Sequence, residues 1–424
     1  MKRILLLVFI IPVLVNSQTT IYASGMIDVN KGKYVESVTV VVNNGKIEEI
    51  TTGKPPAGTN YINLDGYTLL PCLIDCHTHL TGNWYEGYPD FDEYSLPAAF
   101  YGILGVVNAK KTLEAGFTTV RDVHAHFYSD VALRDAINKG IIPGPRMFVT
   151  GSGLSITGGH GAWGNWLSPQ LELKENPGSV ADGEVEVMKE TRKHLIQKVD
   201  WIKIFATGGF GSYGTIPGAT SYSEEEMRAA VMEADKLGIP VAAHAHGKEG
   251  IINALNAGVK SIEHATFLNQ ECIDLIKEKD AFLSMDLYAG YYEWFVMNNS
   301  YDDKEMEGTT EEQYAEIERR FKLAVDNGVK MVFSTDAGVY PHGQNTKQFK
   351  LMINAGMSHL GAIKSATIIA ADLLGMKENL GSIEEGKIAD LIAVKGNPLD
   401  NIAILEEVVF VMKEGEVVKA LRTQ

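Results

Sequence analysis

The chain has 424 residues, of which 45% are apolar and 22% charged, enough for two or three domains at ~150 residues each; a disordered or low-complexity chain is excluded. Its formal charge of -16 argues against nucleic acid and anionic membrane surfaces as partners, because both reward clustered Lys and Arg. Three cysteines make no disulfide framework: Cys72 and Cys76 share one extended run, ~13 Å apart at Cα, and read with the helical Cys272 as core residues.

In chain order, Lys2-Arg3 and the apolar run from Ile4 to Val15 read as a signal peptide. Val15-Asn16-Ser17 offers the cleavage positions, Gln18 is the expected mature start, and no Cys follows to carry a lipid. The run is shorter than the ~20 residues that span a bilayer, so the expected location is secreted or periplasmic with no membrane span after cleavage. Loss of Lys2 and Arg3 moves the charge from -16 to -18. Short strands follow, with Val38–Val42 and Lys46–Ile50 flanking the hairpin signal Asn43-Asn44-Gly45. Strands then alternate with amphipathic segments. The strand candidates are Leu73–His79, Thr118–Asp122, Arg146–Thr150, Trp201–Phe205, Pro240–His246, Ser261–His264, Phe282–Asp286 and Met331–Asp336. The helix Ser223–Leu237 opens on a capping box. At the C-terminus Val408–Met412 and Glu416–Lys419 flank Lys413-Glu414-Gly415, a second hairpin. The expected architecture is α/β: a (β/α)8 TIM barrel over 69–380, with a β-sandwich built from 18–68 plus 381–424. A doubly wound sheet is the runner-up, but no Gly-x-Gly-x-x-Gly follows the first strand.

The strand ends carry the chemistry. His77 and His79 sit at i and i+2 and share one face, half of a zinc site. Lys203 lies in the apolar strand Trp201-Ile202-Lys203-Ile204-Phe205, where burial favours a neutral amine. Such an amine can take up CO2 and offer one carbamate oxygen to each of two metals; the bland alternative is a pair with Asp336. His244 and His246 compete for the next strand. His244 is assigned as ligand because it lies deeper, and His246 is left to polarise a substrate carbonyl. His264 ends the strand after that, with a buried pairing to Glu263 as its bland reading. Asp336 ends the last strand and can bind a metal and hold a proton. His124 and His126 repeat the His-x-His spacing and read as pocket wall.

Pro71-Cys72-Leu73-Ile74-Asp75-Cys76-His77-Thr78-His79, the Lys203 strand, His244, His264 and Ser334-Thr335-Asp336-Ala337-Gly338 together resemble the amidohydrolase superfamily. The tail from Gly381 to Ile392 is similar to that family's return strand, and Cys72 replaces a usual glycine. Gly158-Gly159-His160-Gly161, His244-Ala245-His246-Gly247 and Pro341-His342-Gly343 resemble its binuclear peptidase branch, related to the imidazolonepropionase group. That branch includes Xaa-Pro dipeptidases, carboxypeptidases for basic residues and ochratoxin-type amidases. Single-metal members lack the lysine ligand and often carry an acidic residue where Gly247 stands.

The resemblance implies two divalent ions, zinc expected, on His77, His79, carboxylated Lys203, His244, His264 and Asp336. It implies attack of a metal-bridging hydroxide on an amide carbon, with Asp336 shuttling the proton. His160, Tyr213 and His342 become candidates for substrate binding, with Trp163 and Trp166 as walls of a prolyl pocket. The expected substrate is a dipeptide or N-acyl amino acid with a free carboxylate, Xaa-Pro first; self-association into a homo-oligomer is compatible. Two rivals stand beside this reading: a phosphotriesterase- or lactonase-like hydrolase, and a binding protein on a dead barrel.

Overall fold

The computed structural model of the chain describes residues 18–83, 96–165, 168, 170, 178–210, 212–297 and 311–421. The expected signal segment 1–17 and Trp166 lie outside them. The chain opens with β1 (Thr19–Asp28), β2 (Lys33–Asn43), β3 (Lys46–Thr52) and β4 (Ile62–Pro71). Asn44 and Gly45 both take positive φ between β2 and β3, the tight turn that Asn-Gly favours.

Parallel strands follow: β5 (Leu73–Thr78), β6 (Phe117–Asp122), β7 (Arg146–Val149), β8 (Leu154–Ser155), β9 (Ser179–Val180), β10 (Ile202–Phe205), β11 (Val241–Ala245), β12 (Ser261–His264), β13 (Phe282–Ser284) and β14 (Met331–Val332). They form a seven-stranded sheet ordered β14-β13-β12-β11-β10-β8-β9 and a three-stranded one ordered β5-β6-β7. Backbone bonds join the two at both ends. Cys76 N–H donates to Phe333 O at 2.9 Å, while Asp200 and Trp201 N–H both donate to Val149 O, at 2.8 and 3.1 Å. The eight expected strands thus lie in one hydrogen-bonded circuit, a mixed α/β arrangement consistent with a TIM-barrel-like fold.

Two strands end two or more residues short of expectation. β14 stops at Val332 rather than Asp336, because the chain leaves extended geometry and Asp336 takes φ +56. β13 stops at Ser284, and Asp286 begins the helix Leu287–Tyr291. The short β8 and β9 were not expected. The capping box is present: Glu226 N–H donates to Ser223 Oγ at 3.3 Å and Ser223 N–H to Glu226 Oε2 at 2.8 Å. The helix runs Glu224–Asp235 and buries Met227, Ala230 and Ala234 at helical spacing.

β15 (Leu391–Lys395), β16 (Phe410–Lys413) and β17 (Glu416–Lys419) then join the first strands in one seven-stranded sheet, β17-β16-β15-β4-β1-β2-β3. Its outer strand turns back onto the chain before β15: Ile47 N–H donates to Lys387 O at 2.9 Å and Ala389 N–H to Gly45 O at 2.8 Å. The two hairpin turns touch there. A Cβ on Gly415 would come within 2.9 Å of Gly45 Cα, and Gly415 has φ +81, so no other residue fits without a shift. Ile21, Val38, Val40, Leu64, Leu391 and Phe410 form a single apolar core for both termini. Cys72, Cys76 and Cys272 are buried free thiols. No helix among the described residues is long and apolar enough to cross a membrane.

Candidate metal centre

Strand alternation brings His77 and His79 to one face of β5, their ring centres 5.3 Å apart. The left-handed backbone at Asp336 turns its carboxylate onto them. Oδ1 lies 2.9 Å from His79 Nε2 and 3.4 Å from His77 Nε2. Across the circuit, His244 of β11, His246 just beyond it and His264 of β12 form a second group. Their ring centres are 4.5 Å (His244–His246), 4.6 Å (His244–His264) and 4.9 Å (His246–His264) apart. The ligand atoms of each group lie within 4.8 Å of one another, and His264, Asp286 and Asp336 form a third set that links the two. The His77 and His264 rings are 4.8 Å apart.

Lys203 is 1% exposed and makes no hydrogen bond or ion pair among the described residues. Its bland pairing with Asp336 is therefore absent, and that carboxylate is engaged by the two histidines. Burial lowers the amine to about 8, against the opposing pull of Glu263 and Asp336.

Each ligand ring has a back side. His77 Nδ1 donates to Glu263 Oε2 at 2.9 Å, His79 Nδ1 to the His124 carbonyl at 3.1 Å, and His264 Nδ1 to Asp286 Oδ1 at 2.7 Å. Arg121 holds Glu263 ionised and a carbonyl only accepts, so the His77 and His79 rings keep the proton on Nδ1 and turn an Nε2 lone pair to the centre. His246 Nδ1 lies 2.7 Å from Thr266 Oγ1. His244 Nε2 is buried with no hydrogen-bond partner. Inward lone pairs, two buried Nε2 atoms without a hydrogen-bond partner (His77 and His244), a carboxylate and a readily neutralised amine are a donor set that fits a divalent metal ion.

Glu263 and Asp286 are the residues that sequence reasoning missed. Glu263 binds His77, not His264, and Asp286 takes His264 instead. The available signal was weak: Ser261 and Glu263 share a strand face, and Asp286 follows an apolar run.

The expected substrate residues divide. His160 enters the centre, its ring 4.5 Å from that of His244 and its Nδ1 hydrogen-bonded to Ser212 Oγ. Burial pulls it down to about 3, so it is a neutral imidazole at pH 7. His124 accepts from Gly153 N–H at 2.8 Å through Nδ1 and lies beside His126, which packs 3.9 Å from the Trp163 ring. The His124 ring lies 6.3 Å from that of His79. His342 is buried and donates through Nε2 to Gly82 O at 3.1 Å. Tyr213 is 69% exposed and makes no hydrogen bond or ring contact among the described residues, so the geometry does not bring it to the centre.

Residues 68–419 match the sequence model of the amidohydrolase family. An ochratoxinase of Aspergillus niger is 30% identical over 437 aligned residues, covering 95% of this chain and 87% of its own. A solved Xaa-Pro dipeptidase with methionine in its active site is 36% identical, with a TM-score of 0.88 over 95% of this chain and 99% of its own. A prolidase solved with N-methylphosphonate-L-proline is 28% identical, with a TM-score of 0.82 over 95% and 100% of the two chains. The chain belongs to the amidohydrolase family and is a hydrolase of amide C–N bonds.

Proposed function

We propose that the chain is an exported, binuclear metal-dependent dipeptidase that prefers Xaa-Pro substrates with a free carboxylate. The circuit is read as a (β/α)8 barrel and the terminal sheet as a small β-sandwich beside it. The observation that carries the reading is the meeting of two ligand groups at His264 and Asp336, with Lys203 buried in the same interior. Two divalent ions, zinc first, would be held by His77, His79, Lys203 as its carbamate, His244, His264 and Asp336. Such ions supply Lewis acidity to the amide carbonyl and acidify water.

The protein's own groups do the rest. Asp336, oriented by His77 and His79, holds a proton during attack and returns it to the leaving nitrogen. His246, braced by Thr266, faces the carbonyl oxygen. His160 offers one N–H to the carboxylate, and Trp163 and Phe205 supply apolar walls for a prolyl ring, which has no N–H to satisfy. The likeness to the Xaa-Pro dipeptidase supports this choice. An ochratoxin-type amidase is the second reading, favoured by the 30% identity to ochratoxinase. A basic carboxypeptidase and a phosphotriesterase- or lactonase-like hydrolase stand behind it.

Ala-Pro, Leu-Pro, Ala-Arg, N-acetyl-Phe and their C-terminal amides, compared in one assay, separate these. The two prolyl acids should lead, and amidation should cost ~2–4 kcal/mol in kcat/KM by leaving buried polar groups unpaired. Equal rates for acids and amides would remove the carboxylate requirement, and a strong Ala-Arg preference would move the enzyme to the basic carboxypeptidases.

A further inference from the structure

The two ligand groups are braced very unequally. Behind His77, the Glu263 carboxylate is fully buried and accepts at both oxygens. Arg121 Nη2 donates to Oε1 and Oε2 at 2.8 and 2.9 Å, Ser261 Oγ to Oε1 at 2.5 Å, and His77 Nδ1 to Oε2 at 2.9 Å. Arg121 is itself fixed. Its Nε donates to Cys76 O at 2.7 Å and its Nη1 to Ser261 Oγ at 2.8 Å, while its guanidinium lies 4.6 Å over the Trp201 ring. One buried ion pair thus ties β5, β6 and β12 together beneath a single imidazole. His79 Nδ1 donates to the His124 carbonyl at 3.1 Å, and the His124 ring accepts from Gly153 N–H at 2.8 Å.

The opposite group has less behind it. His244 Nε2 is buried and has no hydrogen-bond partner among the described residues. His246 leans on the Thr266 hydroxyl, which can donate or accept and so fixes no tautomer. His264 has Asp286, a carboxylate 12% exposed with no second side-chain donor among the described residues. A ligand already held in its binding rotamer and tautomer loses less freedom when an ion arrives.

We propose that Arg121 and Glu263 are positioning residues that preset the His77–His79–Asp336 group, so that it fills first and holds its divalent ion more tightly than the His244–His264 pair. This rests on the binuclear reading for what the histidines bind.

The test is a Zn2+ titration of the metal-free full chain in bicarbonate buffer against a chromophoric chelator. The native chain should bind in two resolved steps. Glu263→Gln should weaken the first step ~10–100-fold, the scale of lost outer partners, and leave the second in place. Asp286→Asn should do the reverse. Ser261→Ala, which keeps the Arg121–Glu263 pair, should move the first step in the same direction by a smaller factor and serves if Glu263→Gln fails to fold. Two ions of equal affinity in the native chain, or both steps weakened alike in Glu263→Gln and in Ser261→Ala, would overturn the inference. A chain that binds no Zn2+ at all would remove the binuclear reading along with it.

Discussion

The two interiors of this molecule follow opposite rules. The core of the terminal sheet is built of apolar side chains such as Val40, Leu64 and Phe410, all but fully buried, with the uncharged Thr39 and Thr68 buried in its strands. The upper interior of the parallel circuit buries Asp75, His77, Arg121, Lys203 and Glu263 nearly as completely. Each buried charge carries a desolvation cost that apolar residues of similar size would avoid. Burial pushes Asp75 up to about 7 even with Thr335 and Asn345 donating to it. Charge is thus concentrated where chemistry requires it, and the terminal sheet supplies conventional stability. Substitutions in the two regions should therefore separate activity from stability.

The largest effect is expected at Lys203. Lys203→Met should reduce activity to background while leaving the metal-free chain as stable as before or ~1–2 kcal/mol more so, because an unpaired buried amine is removed. Urea unfolding beside a dipeptide assay reads both, and a large loss of stability would break the contrast. Phe410→Ala should do the opposite, costing ~3–5 kcal/mol in unfolding free energy with kcat unchanged in the folded fraction. A collapse of kcat at constant stability would mean that the terminal sheet shapes the site. Asp336→Asn should keep most of its metal while kcat falls ~100-fold or more, on the scale of lost general acid–base catalysis. A rise in KM alone would make Asp336 a binding residue and leave the proton to His246.

The smallest effect lies far from both interiors. Hydrogen bonds from Arg192 and Lys236 hold the Glu233 carboxylate down to about 2. A depressed carboxylate adds stability above its unfolded value near 4.5 and loses it as pH falls through 2. Arg192 and Lys236 are 57% and 60% exposed, so solvent screening limits Glu233→Gln to under ~1 kcal/mol at pH 7. Thermal unfolding from pH 7 down to pH 2 should show the two chains converge, and a gap that persists at pH 2 would count against the assignment.

Local patterns explain what could be read directly. Two hairpin turns, the Ser223 cap and the starts of the parallel strands follow from residues adjacent in sequence, and the structure places them within a residue or two. The strand ends were less legible because tertiary contacts decide them. Asp336 leaves extended geometry to reach His77 and His79, whose strand begins more than 250 residues earlier. The Glu263 partnership was illegible for the same reason: its histidine is 186 residues away, while the adjacent His264 made the more obvious partner. Tyr213 shows the converse. A glycine-rich sequence placed it plausibly near substrate, but nothing in that loop's composition fixes which way its ring points.

Metal content tests the central claim most directly. The native chain, purified with zinc present, should carry close to two equivalents per chain. Lys203→Ala should lose metal together with activity, and short carboxylic acids should restore part of both by taking the place of the carbamate. A native chain that is fully active with one equivalent, or a Lys203→Ala chain that keeps two equivalents and full activity without rescue, would contradict the binuclear, lysine-bridged centre.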